Sequence, residues 1–78
     1  MNIKNTINKG ANVLKDNNIP SPYLDSEILL SKSINKDKKH IILNPKEILN
    51  SNHLNCFNNL IGRRKKGEPI AYLINKKE

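Results

Sequence analysis

Ser21-Pro22-Tyr23-Leu24-Asp25-Ser26-Glu27-Ile28-Leu29-Leu30 is the stretch that sets the architecture of this chain. Its serine offers a cap, its proline suits the first helical position, and Asp25 and Glu27 place carboxylates against the positive end of a helix. Leu24, Ile28, Leu29, Leu30 and Ile34 then make a broad apolar face. A central, largely buried helix is expected here, with the rest of the chain packed around it.

Upstream, Ile3, Ile7, Ala11 and Leu14 recur at helical spacing, which predicts an amphipathic helix over about residues 2 to 17. It stops at Asn17-Asn18-Ile19-Pro20, because proline disfavours helical geometry in the residue before it. Downstream, Asn35-Lys36-Asp37 breaks the pattern, and Asp37 is placed to cap a short helix from Lys38 to Leu43, which ends at Asn44-Pro45. After a turn around Lys46 to Leu49, Ser51 is expected to cap a helix carrying Leu54, Phe57, Leu60 and Ile61. Arg63 to Lys66 complement the negative end of that helix, and Gly67 suits the left-handed residue that commonly ends one. Pro69 opens one more short turn through Leu73. No strand pattern of useful length occurs. The fold class is therefore all-α, a small bundle of about five helices, two of them short.

With 78 residues there is one core and no room for a second. The apolar side chains are mostly Ile and Leu, without tryptophan, so stability of roughly 3–5 kcal/mol is the sensible expectation. No run approaches the roughly 18 apolar residues of a membrane span, and the first ten residues lack the apolar segment of a signal peptide. A soluble, cytoplasmic chain is expected. Cys56 is the only cysteine, which fits a reducing compartment, and is read as a small buried hydrophobe. A net charge of +7 makes nucleic acid a candidate partner. The lysines, however, are spread along a chain rich in Asn and Ile, as an AT-rich coding bias would produce, and no nucleic-acid reading motif accompanies them.

The residues offer little chemistry. Gly62 to Gly67 has the glycine spacing of a phosphate loop, but Glu68-Pro69 stands where Lys and Ser/Thr are needed. His53 and Cys56 lie three apart on one helix, and His40 is the only further soft ligand, short of the four a structural zinc takes. Cys56 with a histidine lacks an orienting third group. No catalytic, cofactor or metal residue is assigned. Asp25 and Glu27 are instead expected to meet Arg63 and Arg64 in a carboxylate-guanidinium clamp that fixes a helix crossing.

Two segments extend this reading. The helix start at Ser21 to Leu30 resembles an S-P-x-x-D-A-E-x-L-L pattern, and Arg63-Arg64-Lys65-Lys66-Gly67-Glu68-Pro69-Ile70-Ala71-Tyr72-Leu73 resembles R-R-x-x-G-E-P-x-A-Y-L. Both belong to the release factor glutamine methyltransferases, the HemK or PrmC family, and the resemblance runs in helix order over essentially the whole chain. It implies that residues 1–78 are the N-terminal helical substrate-docking domain and that the catalytic methyltransferase domain lies outside them. S-adenosylmethionine would be the cofactor of the full-length enzyme, not of this part. The implied partners are a class-1 peptide chain release factor, methylated on the glutamine of its Gly-Gly-Gln loop, and the catalytic domain itself. Asp25, Glu27, Arg63, Arg64, Gly67, Glu68, Pro69 and Tyr72 are the structural or partner-contact candidates. The chain departs from the pattern at Asn75, where glycine is common, and at Gly62, inside a helix.

Three readings compete: a docking domain inactive alone, a basic nucleic-acid- or ribosome-binding module, and a structural role in which Gly67 to Leu73 packs the bundle onto its neighbour. Ile70, Leu73 and Ile74 are expected as exposed apolar residues that such a neighbour would cover.

Overall fold

A computed structural model describes residues 1–74; Asn75 and the residues after it lie outside the described part. Five helices follow one another: α1 (Ile3–Asp16), α2 (Pro22–Ile34), α3 (Lys38–Leu43), α4 (Ser51–Lys65) and α5 (Ile70–Ile74). The described residues contain no strand, only an isolated antiparallel bridge between Asn2 and Ile48.

The pattern of each helix explains what it buries. Helix α1 commits Ile3, Ile7 and Leu14 to the core, α2 commits Leu29, Leu30 and Ile34, and α4 commits Phe57, Leu60 and Ile61. Ile41, Leu49 and Leu73 close the remaining sides. Helix α2 touches all four other helices, as its apolar face requires. Its crossing with α1 is tight: the Ser26 hydroxyl, fully buried, donates to the Ile7 carbonyl at 2.8 Å. At Gly10 a Cβ would stand 2.5 Å from Phe57 Cζ and 2.7 Å from Ser26 Oγ. Only a residue without a side chain lets α1, α2 and α4 meet there.

Helix starts carry short polar caps. The side chains of Asn2, Asp37 and Asn50 accept from the backbone N–H groups of Asn5, His40 and His53 at 2.8, 2.9 and 2.8 Å. The start of α1 is held further by the segment after α3: Ile3 N–H donates to Glu47 O and Lys4 N–H to Pro45 O, while Leu49 N–H donates to Met1 O. His40 Nε2 and Glu47 Oε1, 2.7 Å apart, tie α3 to the same segment.

Several expectations are corrected. Ser21 does not cap α2; it adopts a left-handed conformation, φ 58°, and its side chain makes no cap bond. In that left-handed conformation its hydroxyl is not aimed at the first turn, and only its carbonyl serves, accepting from Asp25 N–H. Helix α4 is capped by Asn50, one residue before Ser51. Cys56 is exposed, because the stripe at 57, 60 and 61 turns it to the flank of α4. Leu73 is buried, and Ile70 and Ile74 are partly buried against the core, so α5 packs on its own bundle. Leu24 is exposed, leaving the apolar face of α2 narrower than its sequence suggests.

Candidate docking site

The eight candidate residues fall at two places, and most lie at the junction of α4 and α5. Gly67 holds φ at 103°, a value costly for any residue with a Cβ, and its N–H donates to Arg64 O. Lys66 and Glu68 both direct their N–H groups to Arg63 O, so the end of α4 is satisfied by the turn itself. Pro69 then contributes its carbonyl to the N–H groups of Tyr72 and Leu73, which starts α5.

The two arginines divide their work. Arg64 Nε donates to Asp25 Oδ2 at 3.0 Å, and its Nη1 donates to the Glu68 carbonyl at 2.9 Å, joining α2, α4 and the turn through one side chain. The Arg64 and Asp25 side chains are 15% and 9% exposed, so this pair is little screened. Arg63 turns outward to the Glu68 carboxylate, with Nη2 at 2.9 Å from Oε1, and lies 5.9 Å from the centre of the Tyr72 ring. The Glu68 hydrogen bond, and then its charge, raises the Arg63 guanidinium further above its usual pKa. Glu27 does not join the clamp. It faces Lys38 at 3.9 Å, since residues two apart on a helix point to opposite sides. The expected bidentate fork is thus a single Arg64 to Asp25 bond plus a backbone contact.

These residues hold helices together and bring no reacting groups into register. Among the described residues no three of His, Cys, Asp and Glu gather as a metal site. S-adenosylmethionine does not fit the residues present. Gly10 is filled by Phe57 and Ser26, Gly62 lies within α4, and Gly67 ends a helix, so no glycine cradle for a nucleotide is built.

A second feature was not singled out in the sequence. A groove of about 290 Å³ runs between α1, the start of α2 and α3, lined by Ile3, Lys4, Ile7, Tyr23, Glu27, Ile41, Ile42 and Pro45. Its signal was present in α3: a six-residue helix with three consecutive aliphatic residues cannot turn all of them inward, and Ile42 and Leu43 are left exposed.

The site is thus a junction in an all-helical bundle whose ion pairs join its own elements. Residues 5–74 match the family described as the PrmC N-terminal domain, and the chain belongs to that family. Among curated proteins it is similar to a release factor glutamine methyltransferase of Buchnera aphidicola subsp. Acyrthosiphon pisum, 40% identical over all of this chain and 27% of that protein. A bifunctional methyltransferase of Rickettsia bellii is 37% identical over 97% of this chain and 14% of its own length. A release factor glutamine methyltransferase of Leptospira interrogans is 34% identical, over 91% and 25% respectively. The chain therefore spans no more than about a quarter of these relatives. No solved structure matches it. Among the described residues no helix is long and apolar enough to cross a membrane.

Proposed function

We propose that this chain is the substrate-docking domain of a protein-glutamine N5-methyltransferase. In this reading the bundle binds a class-1 peptide chain release factor in the cytoplasm and presents it to a catalytic domain outside residues 1–78. There the methyl group of S-adenosylmethionine passes to the side-chain nitrogen of the Gly-Gly-Gln glutamine. The observation that carries the reading is the family match over residues 5–74, joined to relatives named release factor glutamine methyltransferase that align along nearly the whole chain. The junction described above adds a physical rationale. Asp25, Arg64 and Glu68 fix how α5 seats on the bundle, which suits a domain that must hold a bound protein at a set angle to a neighbour.

Titration of the isotope-labelled chain with a class-1 release factor, followed by amide shifts, tests the docking. Localised and saturable shifts are expected, with no methyl transfer by the chain alone; an unchanged spectrum at high micromolar release factor would remove the reading. The charge of +7 favours a second reading, binding to RNA. That reading requires affinity falling log-linearly with salt as phosphate contacts release counterions.

A further inference from the structure

We propose that the groove between α1, the first turn of α2 and α3 is the surface on which the partner protein docks, and that it receives an acidic segment presenting aliphatic side chains. This rests on the docking reading and adds to it a face and a chemistry.

Seven large hydrophobic residues are exposed among the described residues, and all but Tyr72 line the groove or lie within three residues in sequence of one that does. Tyr23 and Ile42, 50% and 58% exposed, form part of the groove wall. Leu24 adjoins Tyr23, Leu43 adjoins Ile42 at 65% exposure, Ile48 is bridged to Asn2 beside the start of α1, and Met1 precedes Asn2. Scattered exposed aliphatics need no explanation, but a cluster around a concavity marks a contact surface. Nor is the surface a soft one. The start of α1 is pinned by three backbone hydrogen bonds to residues 45–49, and α3 is pinned to the same segment through His40 and Glu47. A partner would meet a preformed site, at a smaller ordering cost.

The charge at the rim selects the occupant. Both carboxylates nearest the groove are already engaged, Glu27 with Lys38 and Glu47 with His40, and Asp37 caps α3. Lys4 lines the groove, Lys46 follows its lining residue Pro45, and Lys39 stands two before Ile41 on α3; all three are exposed and have no ion pair among the described residues. An apolar floor with an uncompensated cationic rim suits a segment that alternates carboxylates with aliphatic side chains. The same rim repels a second copy of this chain, which carries +7 overall.

The test is the titration of the whole chain with a class-1 release factor, repeated with Ile42→Glu and with Lys39→Glu/Lys46→Glu. All three side chains are exposed, and a circular-dichroism melt confirms that each variant folds. Asn58→Ala, exposed on α4, a helix that contributes no residue to the groove, serves as the control. The expected result is that wild-type shifts concentrate at Lys4, Tyr23 and Ile42, and that both groove variants bind at least about tenfold more weakly while the control binds normally. If the release factor binds wild type and Ile42→Glu alike, the groove is overturned while the docking reading stands. Loss in the lysine variant alone would likewise overturn it, since it would mean attraction by charge without a seat for apolar groups. If wild type binds RNA and no release factor, both the groove and the docking reading fall.

Discussion

At the scale of single residues, the three glycines behave differently, and two of them make opposite predictions. Gly10→Ala forces a methyl group against Phe57 Cζ and Ser26 Oγ, atoms fixed by the core on one side and a buried hydrogen bond on the other. The substitution should destabilise the fold by about 1–3 kcal/mol, the usual cost of overpacking, less any gain in helix propensity. Gly62, with nothing within 4 Å of its missing Cβ, lies inside α4, and Gly62→Ala should stabilise by about 0.5–1 kcal/mol. Urea unfolding of the two variants beside wild type checks both signs. The cost at Gly62 was legible in the sequence, as a glycine inside a helical pattern, whereas the outcome at Gly10 was not. Spacing shows that position 10 falls on the apolar side of α1, next to Ala11, but not that three helices converge on it. The same limit applies to Cys56, whose small apolar side chain reads as core until the helix phase around Phe57 is known.

At the scale of elements, polar residues decide where each helix begins and how α4 hands over to α5. Asn50→Ala should cost about 1 kcal/mol, because the His53 N–H loses its side-chain acceptor, whereas Ser51→Ala should change stability little. Comparing their thermal midpoints tests the one-residue shift in cap position. The clamp gives a second contrast. Asp25→Ala leaves the poorly exposed Arg64 guanidinium without its carboxylate and should destabilise by about 2 kcal/mol, a value reduced from that of a fully buried pair. Arg63→Ala breaks an exposed pair that salt screens; its effect should be small and should vanish at high ionic strength. Denaturant midpoints at low and high salt separate the two. The sequence identified the two arginines and Asp25 as residues of interest because fork geometry matters in a chain that otherwise prefers lysine. It could not assign partners, because neighbouring positions on a helix diverge by about 100° and only the tertiary crossing shows which of them faces α2.

At the scale of the whole molecule, helix number, order and approximate limits were open to reading, since hydrophobic period and punctuation by Pro, Gly and Asn are local signals. The exposed apolar end was not, because α3 is too short for its period to say which of Ile41, Ile42 and Leu43 lies inside; the structure buries Ile41 alone. What the molecule does as a unit depends on that end. Lys4, Lys39 and Lys46 turn toward solvent without an ion pair among the described residues, whereas Arg63 and Arg64 are spent on internal pairs. Association with an acidic protein should therefore speed up at low ionic strength more than it tightens, and stopped-flow rates across a salt series would show it. The turn that leaves Cys56 at the surface of α4 has a practical corollary. It gives the molecule one accessible thiol, on a helix that contributes no residue to the groove. A nitroxide attached at that thiol would act as a built-in beacon, and its paramagnetic bleaching of a partner's resonances would reveal the side from which that partner approaches while leaving the groove unobstructed.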